Sequence, residues 1–413
     1  MHWEIRPPKN SKMGDHDVPR VGSHLEGRRI GLMICGGIAA MKTPMVARAL
    51  RRYGADVVAY VSKEALKYVT KDTLEWATIN PVVEQLSPQS EHLSKDKPID
   101  AYLVAPATYN TINKIRHGIA DTTITATMSS AIGLMERGRA KILIAPTMHG
   151  DMHNSILTES LQHLRDIGCT LIAPRDDYGK HNIPDNDVLV AETIRALSDS
   201  SVKGKKFLVT GGPTPVPIDN VRRITNRFRG RLGIEIAKEL YFKGADVQFV
   251  LGFAGIKAPS YVPTVNVENY DAYKDSVLNF LKENKYYAGI FSAAVADYKP
   301  STVYEGKIPS GGKLNQIELE PTQKVIDLAR ELAPDMKMIS FKYQENMSHE
   351  ELMGIAKDRI SLGHAAVVAN RGEDVGPNGE QVAYIVPNSG EEEIKIIGKA
   401  NIARKLVEHI EKL

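Results

Sequence analysis

Short apolar runs that stop at glycine or proline alternate along this chain with stretches of helical periodicity. Residues 29–35 (RIGLMIC) form the first such run and end at Gly36-Gly37. Residues 38–53 follow with helical spacing: Met45, Ala49 and Leu50 fall on one side, Lys42, Arg48, Arg51 and Arg52 elsewhere, and Gly54 closes the segment. Residues 56–61 (DVVAYV) give the next strand. Strand, turn, helix, strand is the repeating unit of a parallel α/β sheet. Residues 101–105 (AYLVA) and 141–145 (KILIA) are two more strands, each running into a polar loop, 106–111 (PATYNT) and 146–152 (PTMHGDM). Between them a helix-like run ends near His117-Gly118.

The pattern then breaks and restarts. Residues 196–206 (ALSDSSVKGKK) are polar and read as a linker. Residues 207–210 form a strand before Gly211-Gly212, a helix is expected over 234–243, strands over 246–251 and 288–294, and further apolar runs end at 339–342 and 367–370. The two halves share a plan without a detectable sequence repeat. The expected fold is α/β, with two Rossmann-like or flavodoxin-like doubly wound parallel-sheet domains in tandem. Residues 1–28 form an irregular extension, 29–195 the first domain, 196–206 the linker and 207–413 the second domain.

Composition changes this picture little. At 413 residues the chain has room for two domains, and 42% hydrophobic with 25% charged residues is ordinary for a soluble globular protein. A net charge of +3 is too small to argue for nucleic acid, although local arginine clusters can still meet phosphate. Two cysteines, Cys35 and Cys169, make neither a disulfide framework nor a zinc pattern, and a reducing cytoplasm fits. No apolar run is long enough to cross a membrane, and residues 1–28 lack the apolar core of a secretion signal.

Ligands of open α/β sheets bind where the strands end. In the first half Gly36-Gly37 and the two polar loops mark one such place, and the absence of GxGxxG excludes a standard dinucleotide fingerprint. In the second half, residues 209–233 (VTGGPTPVPIDNVRRITNRFRGRLG) lead from a strand through a glycine turn into basic and polar residues. That order suits a phosphate-bearing ligand, which bare backbone N–H groups and arginines both face. Arg222, Arg223, Arg227 and Arg229 cluster around Asn226, for phosphate or for solvent. Small residues before Asp297 suit the close approach of a base or ribose; an ordinary helix N-cap fits Asp297 equally well. Lys307, in a Gly- and Pro-rich loop over 305–313, is either solvated or a point charge for an oxyanion. His92 fits a surface loop or a proton-transfer group. Cys169 lies in an apolar run and reads as core.

GGIAAMKTP, EHLSKD, PATYNTINKIRHGIADTT and PTMHGDMHN resemble the flavoprotein family of cysteine decarboxylases over roughly residues 28–195. GGPT…PIDNVRRITN, AAVADY, the Asp297-to-Lys307 spacing and VAN resemble the phosphopantothenate–cysteine ligases over about 203–411. Together the halves resemble the bifunctional coenzyme A biosynthesis family, in an archaeal-like variant. The resemblance implies FMN at Gly36, Gly37, Ser62, Thr108 and Asn110, with His92 as the active-site histidine. In that chemistry flavin oxidises a cysteine-derived thiol to a thioaldehyde, whose C=S bond is the electron sink for loss of the carboxylate. The second half is then expected to use CTP to turn phosphopantothenate into an acyl-cytidylate, from which cysteine displaces CMP. Asn226 would bond the acyl-cytidylate and Lys307 would neutralise phosphates. Ala293, Ala294, Asp297, Phe341 and Arg359 would hold CTP, and magnesium would bridge its triphosphate oxygens. Homo-oligomers are implied, trimeric through the flavin domains and dimeric through the ligase domains.

Several positions depart from the family pattern. His149 replaces an asparagine, and the substrate clamp, residues 177–184 (DYGKHNIP), has no cysteine. Lys180 or His181 is expected to close over the substrate, one of them giving the last proton. Asn226-Arg227-Phe228-Arg229-Gly230 stands for Asn-x-Ser-Ser-Gly, Lys307-Ile308-Pro309 for Lys-Ile-Lys, Ser340-Phe341 for Gly-Phe, and Lys357 and Arg359 for a later lysine pair. Two other readings remain open: a ligase whose flavin domain no longer decarboxylates, and a flavin-binding regulatory scaffold without turnover.

Overall fold

The computed structural model describes residues 5–93, 97–253, 255–309, 311 and 316–413. Ser94, Lys95 and Asp96 of EHLSKD, and Ser310, Gly312 and Lys313 of the expected lysine loop, lie outside them. The chain divides into two compact units, parting between Leu197 and Ser198.

The first unit contains β1 (Arg29–Ile34), α1 (Thr43–Arg51), β2 (Asp56–Val61), α2 (Lys71–Thr78), β3 (Ala101–Ala107), α3 (Tyr109–Arg116), α4 (Thr123–Glu136) and β4 (Lys141–Pro146). It continues with β5 (Met148–His149), α5 (Ser155–Asp166), β6 (Thr170–Leu171), β7 (Arg175–Asp177), β8 (Lys180–Asn182) and α6 (Asn186–Ala196). Five strands pair in the order β2-β1-β3-β4-β6, all parallel. Buried residues of the strands pack against Ile112, Ile115, Met128, Leu157 and Leu164 from α3, α4 and α5. The helix expected over 38–53 is split: a 3-10 turn covers Ile38–Lys42 and α1 starts at Thr43. Pro44 explains this, since proline is tolerated only in the first turn of an α-helix. The chain before β1 has no helix or strand among the described residues, but it is fastened. Arg48, Arg51 and Arg52 of the first helix region donate to the carbonyls of Asp17, His16 and Pro19, and Leu25 is fully buried.

The second unit contains β9 (Lys206–Gly211), β10 (Val216–Pro217), β11 (Arg223–Ile224), α7 (Arg231–Phe242), β12 (Asp246–Gly252), β13 (Thr264–Val267), α8 (Tyr270–Glu283) and β14 (Ala288–Phe291). After these come β15 (Tyr298–Pro300), β16 (Leu319–Pro321), α9 (Val325–Leu332), β17 (Lys337–Gln344), α10 (His349–Ser361), β18 (Ala366–Arg371), β19 (Val382–Pro387), β20 (Ile394–Ile397) and α11 (Lys399–Ile410). Its eight-stranded sheet runs β13-β12-β9-β14-β17-β18-β19-β20. The sheet is parallel up to β18, and β19 and β20 complete it antiparallel, an edge the apolar runs did not announce. Residues 198–205, expected as a linker, belong to this unit. Val202 is fully buried in its core, and the Ser200 hydroxyl bonds Glu411 at 2.5 Å.

Two glycines set how closely the strand ends approach. Gly230 sits in the left-handed region at φ 72°, and a Cβ there would lie 2.6 Å from the Gly212 nitrogen. A Cβ on Gly252 would lie 1.9 Å from the Pro213 carbonyl oxygen. No side chain of any size fits either place. Gly252→Ala is therefore expected to lower unfolding free energy by about 2 kcal/mol in urea titration. Gly354→Ala, within α10 and with open space at its Cβ, is the matched control and is expected to be neutral or stabilising. Equal effects of the two would remove the close-approach argument.

Candidate functional site

Parallel register carries the ends of β1, β2, β3 and β4 to one edge of the first sheet, where they open into a cleft of about 1480 Å³. Gly36, Gly37, Ser62, Thr108, Asn110, His149, Lys180 and His181 all line it. Gly36 is obligatory, because a Cβ there would meet the Glu64 Cβ at 2.4 Å. The Ser62 hydroxyl accepts from the Ala65 N–H at 3.2 Å. Thr108 is the N-cap of α3, accepting from the Thr111 N–H, so the first N–H groups of that helix end at the cleft. Lys42 and Lys114 also line it, Lys114 paired with Asp121 at 2.6 Å.

The antiparallel pairing β5-β8-β7 folds the 175–182 hairpin against the loop after β4, placing His149 opposite Lys180 and Met148 opposite His181. His149 Nδ1 accepts from the Asp151 N–H at 3.3 Å and so serves as a cap. His181 Nδ1 lies 2.5 Å from Asp176 Oδ1, and its Nε2 lies 2.7 Å from His153 Nδ1. His92 is not part of the lining. It is half-buried, and its Nδ1 is buried without a hydrogen-bond partner among the described residues. Cys169 is core, as expected. Burial pushes its thiol up to about 12 and that of Cys35 to about 11, the latter against hydrogen bonds from Thr111 and Thr108.

In the second unit the ends of β9, β14, β17 and β18 border a pocket of about 850 Å³. Ala293, Ala294, Asp297, Phe341 and Arg359 line it. The turn after β9 is stitched to the segment after β14: the Ala294 N–H donates to the Gly212 carbonyl at 2.9 Å and the Ala296 N–H to Thr214 Oγ1 at 2.9 Å. The Asn226 amide donates to the Ala294 carbonyl at 2.7 Å, one bond from the pocket wall. Asp297 is no helix N-cap; it precedes β15 and pairs with Lys324. Arg359 donates to the Phe341 carbonyl at 3.1 Å. Where the family pattern has hydroxyls, Phe228 packs edge-on against Tyr343 at 5.2 Å and Arg227 pairs with Glu345 at 3.1 Å.

Lys307 is exposed and outside the pocket lining. Its loop is held elsewhere: the Ile308 N–H donates to Asp219 Oδ2 at 3.0 Å and the Asn220 N–H to the Gly306 carbonyl at 3.0 Å. The cations that do line the pocket include Lys324, Lys342, Arg371 and Lys399, which sequence spacing did not single out. They stand at the starts of α9 and α11, within β17 and at the end of β18, far apart in the chain, so no local motif joins them. Burial, and then the charge of Arg359, push the Lys342 ammonium below its ordinary value. Among the described residues eight cationic side chains face three carboxylates in this pocket, against four and three in the first cleft. The excess suits a polyanion in the second pocket and a less charged guest in the first.

Among the described residues no helix is long and apolar enough to cross a membrane, and no group of three or more His, Cys, Asp or Glu could hold a metal. The Flavoprotein family matches residues 19–198. The family described as DNA/pantothenate metabolism flavoprotein C-terminal domain matches residues 202–413. A coenzyme A biosynthesis bifunctional protein of Thermococcus kodakarensis is 35% identical over 94% of this chain and 96% of its own length. One of Methanocaldococcus jannaschii is 28% identical over 94% of each. A crystal structure of the C-terminal domain of a coenzyme A biosynthesis bifunctional protein is 27% identical, covering 52% of this chain and 97% of its own, with a TM-score of 0.43.

Asp219, in the turn that fastens the Lys307 loop, is a buried carboxylate with four donors. Burial alone would raise it, yet the N–H groups of Ile308, Arg222 and Val221 and the Arg222 guanidinium hold it at about 2. A carboxylate lowered in the folded state stabilises fully above its unfolded value of about 3.9 and loses that contribution as pH falls toward 2. Asp219→Asn is expected to lower the melting midpoint on the order of 5 °C at pH 7. Melts of wild type and variant are expected to converge as pH falls from 4 to 2; a constant gap across that range would remove Asp219 from this role.

Proposed function

The chain belongs to the family of coenzyme A biosynthesis bifunctional proteins, and from that premise we propose that its two clefts carry consecutive reactions. The second pocket ligates cysteine to 4'-phosphopantothenate through an acyl-cytidylate, converting CTP to CMP. The first cleft decarboxylates the resulting phosphopantothenoylcysteine to 4'-phosphopantetheine with FMN. One observation carries the reading: two mostly parallel sheets in one chain each deliver their strand-end loops to a cleft of their own, and the charge of each cleft suits its guest.

FMN fits the first cleft. Gly36 lets the turn after β1 pack directly on Glu64 at the cleft, and the capped start of α3 points N–H groups where a single phosphate is stabilised. Gly36, Gly37, Ser62, Thr108 and Asn110 would hold it. The flavin, when bound, supplies the oxidation of the cysteine-derived thiol that eases loss of the neighbouring carboxylate. His149, Lys180 and His181 face the same space and handle protons. His92 keeps its proposed part as active-site histidine, its orphaned Nδ1 awaiting a partner that arrives with ligand or with a second copy of the chain. Exposed Ile38 and Met41 on the cleft rim, with Met45 beyond, suit such a copy in a homo-oligomer.

In the second pocket Asn226 bonds the acyl-cytidylate, and Asp297, Phe341 and Arg359 hold the nucleotide beside Ala293 and Ala294. Lys324 and Lys342 share with Lys307 the neutralising of phosphate. Magnesium comes with the triphosphate, since the described residues offer no carboxylate cage for it. A second reading has its own observation. Both cysteines are buried, so neither can act as an acid in the first cleft, and a flavin unit without decarboxylation remains the alternative.

The full chain is to be incubated with phosphopantothenate, cysteine and either CTP or ATP, with both products followed by mass. Expected are a yellow protein, CMP release dependent on cysteine, and carbon dioxide. Asn226→Ala is expected to slow ligation about 100-fold while leaving decarboxylation of supplied phosphopantothenoylcysteine intact. Accumulation of the ligated acid without carbon dioxide would favour the second reading; release of neither product would overturn both.

A further inference from the structure

The 175–182 hairpin brings a chain of polar groups together that no local motif announces. Asp176 Oδ1 lies 2.5 Å from His181 Nδ1, His181 Nε2 lies 2.7 Å from His153 Nδ1, and His153 Nε2 lies 3.2 Å from Thr158 Oγ1. The members come from three places: β7 and β8 of the hairpin, the residue before the Asn154 cap, and the first turn of α5. Two imidazoles joined nitrogen to nitrogen share one hydrogen, so their protonation is coupled.

The chain is satisfied in two states that differ by one proton. In the neutral state Thr158 donates to His153 Nε2, His153 Nδ1–H donates to His181 Nε2, and His181 Nδ1–H donates to Asp176. In the protonated state the Thr158 hydroxyl turns to the Asn154 carbonyl, 3.1 Å away, and accepts from His153 Nε2–H. His181 then carries hydrogen on both nitrogens, donating to His153 and to the Asp176 carboxylate. Every hydrogen bond survives the change, which is what a proton store requires. A metal is the competing use of such residues, but among those described no cluster could hold one.

We infer that Asp176, His181, His153 and Thr158 form a one-proton relay whose inner end, His181, supplies the proton consumed in the first cleft. This rests on the decarboxylase reading of that cleft. Net decarboxylation breaks one C–C bond, releases carbon dioxide, forms one C–H bond and consumes one proton. His181 lines the cleft, whereas the His153 ring stands exposed at the outer end. The substrate takes the place of His153 at His181 Nε2 and receives that proton. When product leaves, His153 passes a proton from solvent back to the same nitrogen. Asp176 keeps Nδ1–H in place throughout, so Nε2 is always the nitrogen offered. His181 is thus the catalytic residue, and His153 and Asp176 are positioning residues that act through it. The buried cysteines play no part.

Two measurements on the full chain test this. The first needs no ligand: with ¹⁵N-labelled histidine, a nitrogen–nitrogen coupling across the hydrogen bond between His153 and His181 is expected, and His153→Gln is expected to abolish it. The second uses protein loaded with FMN and supplied phosphopantothenoylcysteine. Turnover is expected to fall about 100-fold in His181→Gln and about tenfold in His153→Ala, with KM unchanged in the latter. Added free imidazole is expected to restore much of the His153→Ala rate, a rescue that a purely structural role would not show. Absence of the coupling overturns the relay, as does a His153→Ala protein that turns over at the wild-type rate or ignores imidazole. A wild-type protein that shows the coupling but releases no carbon dioxide from the supplied acid overturns the cleft reading, and the role of His181 with it. Fold integrity of each variant is checked by the remaining histidine resonances.

Discussion

The backbone of Gly230 passes so near that of Gly212 that no side chain can stand between them. This contact brings the start of α7 onto the turn that follows β9. The turn is in turn stitched to the segment after β14 by the Gly212 and Thr214 bonds to Ala294 and Ala296. The start of α7 and two strand-end segments thereby become one wall, and Asn226 is fixed on it through the Ala294 carbonyl. Gly36 against Glu64 plays the matching part in the first unit, where the turn after β1 meets the turn after β2. In both units the parallel register decides where the loops gather, and backbone contact decides how tightly.

What differs between the units is charge. The second pocket concentrates cations from loops and helix starts far apart in the chain, with Asp297 and Asp374 each tied to one of them. A group of like charges held together repels itself, which weighs against the fold when no anion is bound and is relieved when one arrives. Among the described residues the first cleft has nearly balanced charge and a capped helix start, an arrangement that would suit one phosphate. On the proposed reading, a triphosphate and a flavin phosphate would thus be met by different residues on similar sheets.

The sheets were legible because buried strands read as continuous apolar runs, and the glycine turns after β1 and β9 as breaks in them. Gly36, Gly37, Ser62, Thr108 and Asn110 all line the first cleft because each stands within three residues of a strand end. The antiparallel edge of β19 and β20 was not legible, because an apolar run does not reveal strand direction. Nor was the packed role of 198–205: its serines look solvent-facing, yet they bond the Lys243 carbonyl and Glu411, residues distant in sequence. The least legible contacts were those across strands, such as His153 with His181, which exist only because β5 pairs with β8.

Lys307 shows how a residue can satisfy a motif and still stand away from the pocket. A flexible Gly- and Pro-containing loop would leave its lysine free to reach phosphate. Here the loop is fastened at Gly306 and Ile308, on either side of the lysine, to the 219–222 turn. The fastening group, Asp219, has no exposed side-chain surface and satisfies four donors at once. A carboxylate so engaged gives up its bonds only at a cost that solvent cannot repay in a buried place. The position of Lys307 is therefore a property of the Asp219 turn, whereas Lys324 and Lys342 already stand on the pocket wall. In the proposed ligation, neutralisation of phosphate would begin with those two lysines, Lys307 standing outside the lining on the loop that Asp219 holds.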